Sequence, residues 1–398
     1  MSTSPGAAIP PGRRPCIVGI GQTEYAKWGT ILDRSEFQLG AEAIVAAAAD
    51  AGLPCSEIDG FASYANDASE SSVMQIALGA RQVRFASMVW GGGGGGAAGA
   101  VAHAAAAVTA GLANHVVAYR SLCQGQSFRY GGPHPWAPGK NFIHPFGLVS
   151  PPQMMALLIR RHMAEYGTRQ EHLASVALAC SANAGRNPKA VMRDRPLTLE
   201  RYLASRMIAD PLRLYDCCLE SDGACAVIVT TIERARDLGA VAVPILAAGQ
   251  GSEAGWGTGA LAGFNMPADV FCSGNGRTLA RELYARAGIG AADVDVAQLY
   301  DDFTGMVLMS LEDFGFCARG EGGPFAAAGH IAWPHGSLPI NTSGGNLAEA
   351  YIHGFNLVLE AVRQMRGSST SQVVDAKVCL AVAGPAVGPT SALILGRP

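Results

Sequence analysis

Apolar runs of strand length alternate along the chain with longer stretches whose apolar positions recur every three to four residues. The strand-like runs are Pro15–Gly21, Phe61–Tyr64, Phe85–Val89, His115–Tyr119 and Cys225–Thr230, then Pro244–Gly249 and Val378–Val382. Between them lie helical patterns at Glu36–Ala51, Ser72–Leu78, an alanine-rich stretch ending at Gly111, and Leu347–Met365. Strands alternating with helices predict an α/β fold.

The pattern repeats. AAADAGLPCSEID (47–59) and LYARAGIGAADVD (283–295) align at an offset of 236, matching Ala51-Gly52 to Ala287-Gly288 and Glu57-Ile58-Asp59 to Asp293-Val294-Asp295. Each is a helix end, a glycine stop, a short turn and an entering strand. A second match follows in the same order. Gly91–Gly96, the alanine-rich helix and strand His115–Tyr119 parallel Ser343-Gly344-Gly345, helix Leu347–Met365 and strand Val378–Val382. Two matches in register predict a duplicated core, with residues 1–240 as one half and 241–398 as the other. Segment 121–210, with helical patterns at Met154–Tyr166 and Arg169–Ala184, has no counterpart in the second half. It is expected to be an inserted cap or loop domain on the substrate side.

Charge and composition narrow the function. The 29 basic and 32 acidic residues leave a formal charge of −3, without the dominant basic face that nucleic acid requires. No apolar run reaches the ~20 residues of a membrane span, so no membrane role is expected. The chain is 49% hydrophobic and only 15% charged, which points to a large core and to self-association. The ten cysteines are scattered without metal-ligand spacing, so no metal site is expected, and reduced thiols suit the cytoplasm.

Four segments carry a family resemblance: VGIGQTEYAKWG (18–29), DPLRLYDCCLESDGACAVIV (210–229), YDDFTGMVLMSLEDFGFC (300–317) and INTSGGNLAEAYIHG (340–354). Together they resemble the thiolases, in particular the sterol-carrier-protein-x and lipid-transfer-protein-like branch. The resemblance implies a thiolase fold, two α/β halves in an α-β-α-β-α layered core. It also implies four catalytic positions, and this chain departs at each. Gly91–Gly96 stands where the nucleophilic cysteine should precede its helix, and no base cysteine lies near Ala383-Gly384-Pro385. Tyr300 replaces the histidine of a His-Asp-x-Phe motif, and Tyr351 replaces the histidine of Gly-His-Pro.

Without a thiolate there is no acyl-enzyme, so acyl transfer by the thiolase route cannot run. A glycine loop at a helix start leaves space and bare N–H groups able to stabilise a thioester enolate. The paired tyrosines resemble those of retro-aldolases of steroid side-chain degradation. That resemblance implies cleavage of a β-hydroxyacyl-CoA side chain to a ketosteroid and a short acyl-CoA such as propionyl-CoA. It further implies a homodimer beside a small OB-fold, zinc-ribbon partner subunit that holds the only zinc. Coenzyme A would enter as part of the substrate, and this chain would carry no cofactor.

Tyr300 and Tyr351 are therefore the expected catalytic pair, one removing the hydroxyl proton and the other protonating the α-carbon; their order stays open. His353, Gly344, Gly345 and Gly94 are the expected substrate-binding residues. At least one of Asp301 and Asp302 should point away, since an ionised neighbour opposes a phenolate. Arg120, Arg129 and Arg213 are candidates for the CoA phosphates, and Asp222 reads as a turn residue. His134 and His144 either line a pocket or pack. Alternative functions are a catalytically silent lipid or acyl-CoA binder, a scaffold subunit of an acyltransferase complex, and a thiolase using Cys123 or Cys317.

Overall fold

The first four longer strand-like runs become β1 (Pro15–Gln22), β3 (Gly60–Tyr64), β4 (Phe85–Val89) and β5 (Val116–Leu122), with a two-residue β2 (Ala26–Lys27) after β1. A small hairpin, β6 (Met207–Ala209) and β7 (Leu212–Arg213), precedes β8 (Ser221–Thr231). The second half supplies β9 (Val243–Gly251), β10 (Val296–Leu299), β11 (Val378–Ala383) and β12 (Thr390–Gly396). This computed structural model describes residues 11–65, 67–89, 93–126, 129, 132, 140–254, 273–384 and 389–398.

Strand order shows the duplication. One side of the sheet runs β1-β8-β5-β3-β4 and the other runs β9-β12-β11-β10. On both sides the opening strand pairs antiparallel with the last, the last pairs antiparallel with the one before it, and that one pairs parallel with an earlier strand. The two sides meet where β1 pairs β9 through Cys16–Pro244 and Ile17–Val243.

Helices 97–110 and 355–366 each pack on strands of both sides. Helix 36–50 covers β1, β8 and β5, and helix 277–287 covers β9 and β12. The layers are thus helix, sheet, two central helices, sheet, helix. A helix between two sheets must be apolar over most of its surface, which Ala97–Ala110 satisfies with small side chains and high helix propensity. It stops at Gly111, whose φ of +75° suits the left-handed cap.

The sequence expectation fails at one helix. Leu347–Met365 is not continuous: a four-residue helix, Gly345–Ala348, is followed by irregular chain, and a helix resumes at Phe355–Arg366. His353 at φ +46° and Gly354 at φ +79° break it. Leucine and alanine on both sides favour helix, but two successive left-handed residues cannot belong to a right-handed one. Tyr351 lies in this gap.

The insertion contributes helices 151–166, 170–184 and 199–203. Helix 170–184 packs against helices 304–313, 322–327 and 345–348. It therefore braces the segments that follow Tyr300 and precede Tyr351. Buried Asp216 fastens the same region, accepting hydrogen bonds from Tyr202 and Thr304, each at 2.6 Å. Asp222 departs from its expected turn: it lies within β8 and accepts the N–H groups of Gly29 and Gln124 at 2.8 Å each. No helix among the described residues is long and apolar enough to cross a membrane.

Candidate active site

Tyr300 directly follows β10, and Tyr351 lies in the gap before the second central helix. Their phenol oxygens are 2.8 Å apart, with ring centroids 6.2 Å apart at 65°. The Tyr300 register is set by Asn341, which stands in for a neighbouring strand. Its Oδ1 accepts the Leu299 N–H at 2.7 Å and its Nδ2 donates to the Leu299 carbonyl at 2.8 Å. Tyr351 is tied to β8, its N–H donating to Ser221 Oγ at 2.7 Å.

Asp301 links the two tyrosine loops. Its carboxylate accepts the N–H groups of Asn346 at 2.8 Å and Leu347 at 3.2 Å, and the Cys180 thiol at 3.5 Å. Burial raises its pKa to about 6 against these donors. It is thus the aspartate that points away from the phenols. Asp302 stays near them, and burial holds its carboxyl well above the ordinary range. Its charge, when present, pushes both phenols further up.

The glycines explain why the ring of Tyr300 fits. A Cβ on Gly94 would lie 2.0 Å from the Tyr300 oxygen, and a Cβ on Gly354 would lie 2.6 Å from two of its ring carbons. The glycine loop does not leave an empty nucleophile position, as the sequence suggested. The Tyr300 phenol fills it. Gly345, at φ +61°, lets the Asp301 carboxylate approach, since a Cβ there would be 2.2 Å from Oδ2. Gly344 instead faces Ala184 of the insertion, and its N–H donates to the Asn341 carbonyl at 2.8 Å.

His353 is fully buried, its ring 5.1 Å from that of Tyr351 and edge-on at 71°. Its carbonyl accepts from Tyr64 Oη at 3.0 Å, and its Nδ1 contacts Arg120 Nη2 at 3.2 Å. Arg120 also donates to the Tyr64 carbonyl and to Asp67 Oδ2, both at 3.1 Å. Sequence reading missed Tyr64 and Asp67 because they lie in the other half of the chain and match no motif. It also misread Arg120: its guanidinium is committed inside the core to Asp67, the Tyr64 carbonyl and His353 rather than to the phosphates of CoA. Arg213 is held by Gln170 and the Ser205 carbonyl, and Arg129 by Glu220. His134 lies outside the described residues.

Burial pushes both phenols well above the usual tyrosine value. The hydrogen bond between them raises Tyr300 and lowers Tyr351. The thiols offer no competing nucleophile among the described residues. Burial pushes Cys123 up to about 11 and Cys317 up to about 12, and holds Cys218, beside the phenol pair, well above the ordinary thiol value. No group of described His, Cys, Asp and Glu side chains has the arrangement of a metal site.

Comparison with known proteins gives a consistent picture. Residues 265–397 match the family model described as thiolase C-terminal domain-like. The chain is 42% identical to a steroid side-chain-cleaving aldolase of Thermomonospora curvata, over 100% of this chain and 99% of that protein. It is 41% identical to a 17-hydroxy-3-oxo-4-pregnene-20-carboxyl-CoA lyase of Mycobacterium tuberculosis, over 96% and 98% of the two chains. A solved structure of an Ltp2-ChsH2(DUF35) aldolase superposes with a TM-score of 0.90 at 41% identity, covering 98% of this chain and 99% of that one. A monomeric SCP2-thiolase-like protein of Mycobacterium smegmatis, 22% identical with a TM-score of 0.73, shares the fold.

Proposed function

The chain belongs to the steroid side-chain-cleaving aldolases of the thiolase superfamily, and we propose that its tyrosine pair runs the retro-aldol step as a closed proton circuit. The substrate is a steroid whose side chain is a β-hydroxyacyl-CoA thioester. The products are a ketosteroid and a short acyl-CoA such as propionyl-CoA. The observation that carries the mechanism is the 2.8 Å hydrogen bond between Tyr300 and Tyr351.

In the reactive state Tyr351 is a phenolate and Tyr300 a phenol. Tyr351 takes the β-hydroxyl proton, the oxygen closes to a carbonyl, and the bond between the α- and β-carbons breaks. Its electron pair passes to the α-carbon and thioester as an enolate. Tyr300 then gives its proton to the α-carbon. The proton now on Tyr351 moves across the phenol–phenol hydrogen bond to Tyr300, restoring the starting state. One proton leaves the substrate oxygen and one reaches the substrate carbon, so no external acid is consumed. These transfers call for no covalent intermediate and no cofactor, and CoA takes part only as the substrate's thioester.

The pKa directions fix a pH dependence. The base must be ionised, and burial places its pKa above the usual tyrosine value. The ionised fraction of free enzyme therefore grows tenfold per pH unit below that value. We expect kcat/KM to rise with a logarithmic slope near one from about pH 7 to about pH 9. A plateau already reached at neutral pH would assign the base to another group.

The assembly we propose is a homodimer joined to a small OB-fold, zinc-ribbon subunit of the DUF35 type, working in the cytoplasm. Support comes from the similarity to the Ltp2-ChsH2(DUF35) aldolase, the low charge density, and free cysteines suited to a reducing compartment. The test is conversion of a 17-hydroxysteroid β-hydroxyacyl-CoA by the purified chain, alone and co-expressed with such a subunit. Ketosteroid and acyl-CoA should form in equal amounts, and at least about tenfold faster with the partner. Full activity of the monomeric chain would refute the assembly, and no cleavage with or without the partner would return the chain to lipid binding.

A further inference from the structure

We infer that His353 is a third group of the reaction centre, a neutral imidazole whose proton is fixed on Nε2 by Arg120 and which donates that proton's hydrogen bond to the thioester enolate oxygen. The inference rests on the retro-aldol reading above, and its tests are separable from that reading.

The tautomer follows from the donor inventory. A guanidinium carries only donors and keeps its proton in proteins. Arg120 Nη2 lies 3.2 Å from His353 Nδ1, so Nδ1 must accept, and a neutral ring that accepts at Nδ1 carries its hydrogen on Nε2. Arg120 cannot swing away. It is fully buried, and its other nitrogen is held by the Tyr64 carbonyl and by Asp67 at 3.1 Å each. Asp67 is itself fixed, accepting the Ser69 N–H at 2.7 Å. The ion pair with Asp67 balances the arginine's charge, so the imidazole receives a hydrogen bond without having to become an anion.

The backbone is held as deliberately as the ring. His353 adopts φ +46°, a left-handed conformation uncommon for a residue with a side chain, and Tyr64 Oη bonds its carbonyl at 3.0 Å. Strain of this kind persists where the surroundings over-determine a functional conformation. The location agrees. The His353 ring stands 5.1 Å from that of Tyr351, and the next residue, Gly354, is pressed against the Tyr300 ring.

The chemistry needs such a group. When the carbon–carbon bond breaks, negative charge develops on the thioester oxygen, while both phenol groups are engaged in the proton circuit. A neutral N–H with a fixed tautomer stabilises that charge without surrendering its proton.

Two substitutions separate the roles of the two ring nitrogens. His353→Asn places an amide oxygen where Nδ1 accepted from Arg120, and asparagine tolerates the left-handed backbone. It removes the distal donor. His353→Gln places an amide N–H nearer the Nε2 position. We expect His353→Asn to lower kcat ~10²–10³-fold with little change in KM or melting temperature, and His353→Gln to retain at least about tenfold more activity. Near-wild-type turnover in the asparagine variant, or equal losses in both, would reduce His353 to a structural contact. A second measurement does not depend on turnover or on the variants' folding. Protein labelled with ¹⁵N-histidine should show an acceptor-type Nδ1 and a protonated Nε2 for His353, and a protonated Nδ1 would overturn the tautomer even if the tyrosine mechanism stands. Failure of the retro-aldol reading would instead appear as normal turnover in the tyrosine variants, with the nitrogen spectrum unchanged.

Discussion

Tyr300→Phe and Tyr351→Phe should each lower turnover ~10²–10⁴-fold while leaving the melting temperature almost unchanged. Phenylalanine keeps the ring that Gly94 and Gly354 enclose, so shape and packing survive. What disappears is one proton-transfer group and the 2.8 Å bond that returns the proton. The two losses should not multiply: removing either phenol opens the circuit, so the double variant should be little worse than the poorer single one. A purely structural phenol pair would behave differently. Losing one buried hydrogen bond costs about 1 kcal/mol of stability and leaves turnover largely intact. Steady-state kinetics beside thermal unfolding distinguishes the two outcomes. Near-normal turnover in both variants would favour a lipid-binding role.

Gly94→Ala should be nearly as damaging, though glycine itself carries no proton-transfer group. The added methyl would sit 2.0 Å from the Tyr300 oxygen and equally close to the ring edge, far inside ordinary contact. The glycine loop is fixed where Ser391 Oγ donates to the Gly95 carbonyl at 2.5 Å, so the phenol rather than the backbone should move. A displacement of about 1 Å is enough to cost ~10²-fold, because proton transfer needs hydrogen-bond geometry. We expect at least that loss in kcat, with the protein still folded. Gly79→Ala is a fitting control: its Cβ would meet nothing within 4 Å, and its φ of +66° makes it a test of backbone strain alone. It should lose stability and keep its kcat. Equal kinetic effects from the two substitutions would mean that Gly94 makes no special room for Tyr300.

Much of this was legible in the sequence because its causes are local. Strand and helix periodicity located β1, β4 and the helix at 36–50 to within a residue or so, and the offset of 236 anticipated the repeated strand order. The tyrosines were visible because each stands inside a motif whose usual residue is histidine. Three features were not legible. The break between Ala348 and Phe355 was hidden because Leu347, Ala348 and Leu357 through Ala361 all favour helix, while only tertiary contacts to His353 and Gly354 enforce the left-handed turn. The burial of Arg120 was hidden because no local pattern tells a surface arginine from one paired with Asp67 inside the core. The fit of Tyr300 against Gly94 joins positions about two hundred residues apart, and a glycine run read alone looks like open space.

In the proposed mechanism the carbon–carbon bond is broken by proton transfer between tyrosines and never by a cysteine. Intact-protein mass spectrometry during a single turnover tests it most directly, with enzyme in excess over a steroid β-hydroxyacyl-CoA and the reaction quenched through its course. Ketosteroid and acyl-CoA should form in equal amounts while every protein species keeps its unmodified mass. An acyl adduct that rises and decays at the rate of product formation, and that maps to a cysteine, would contradict it.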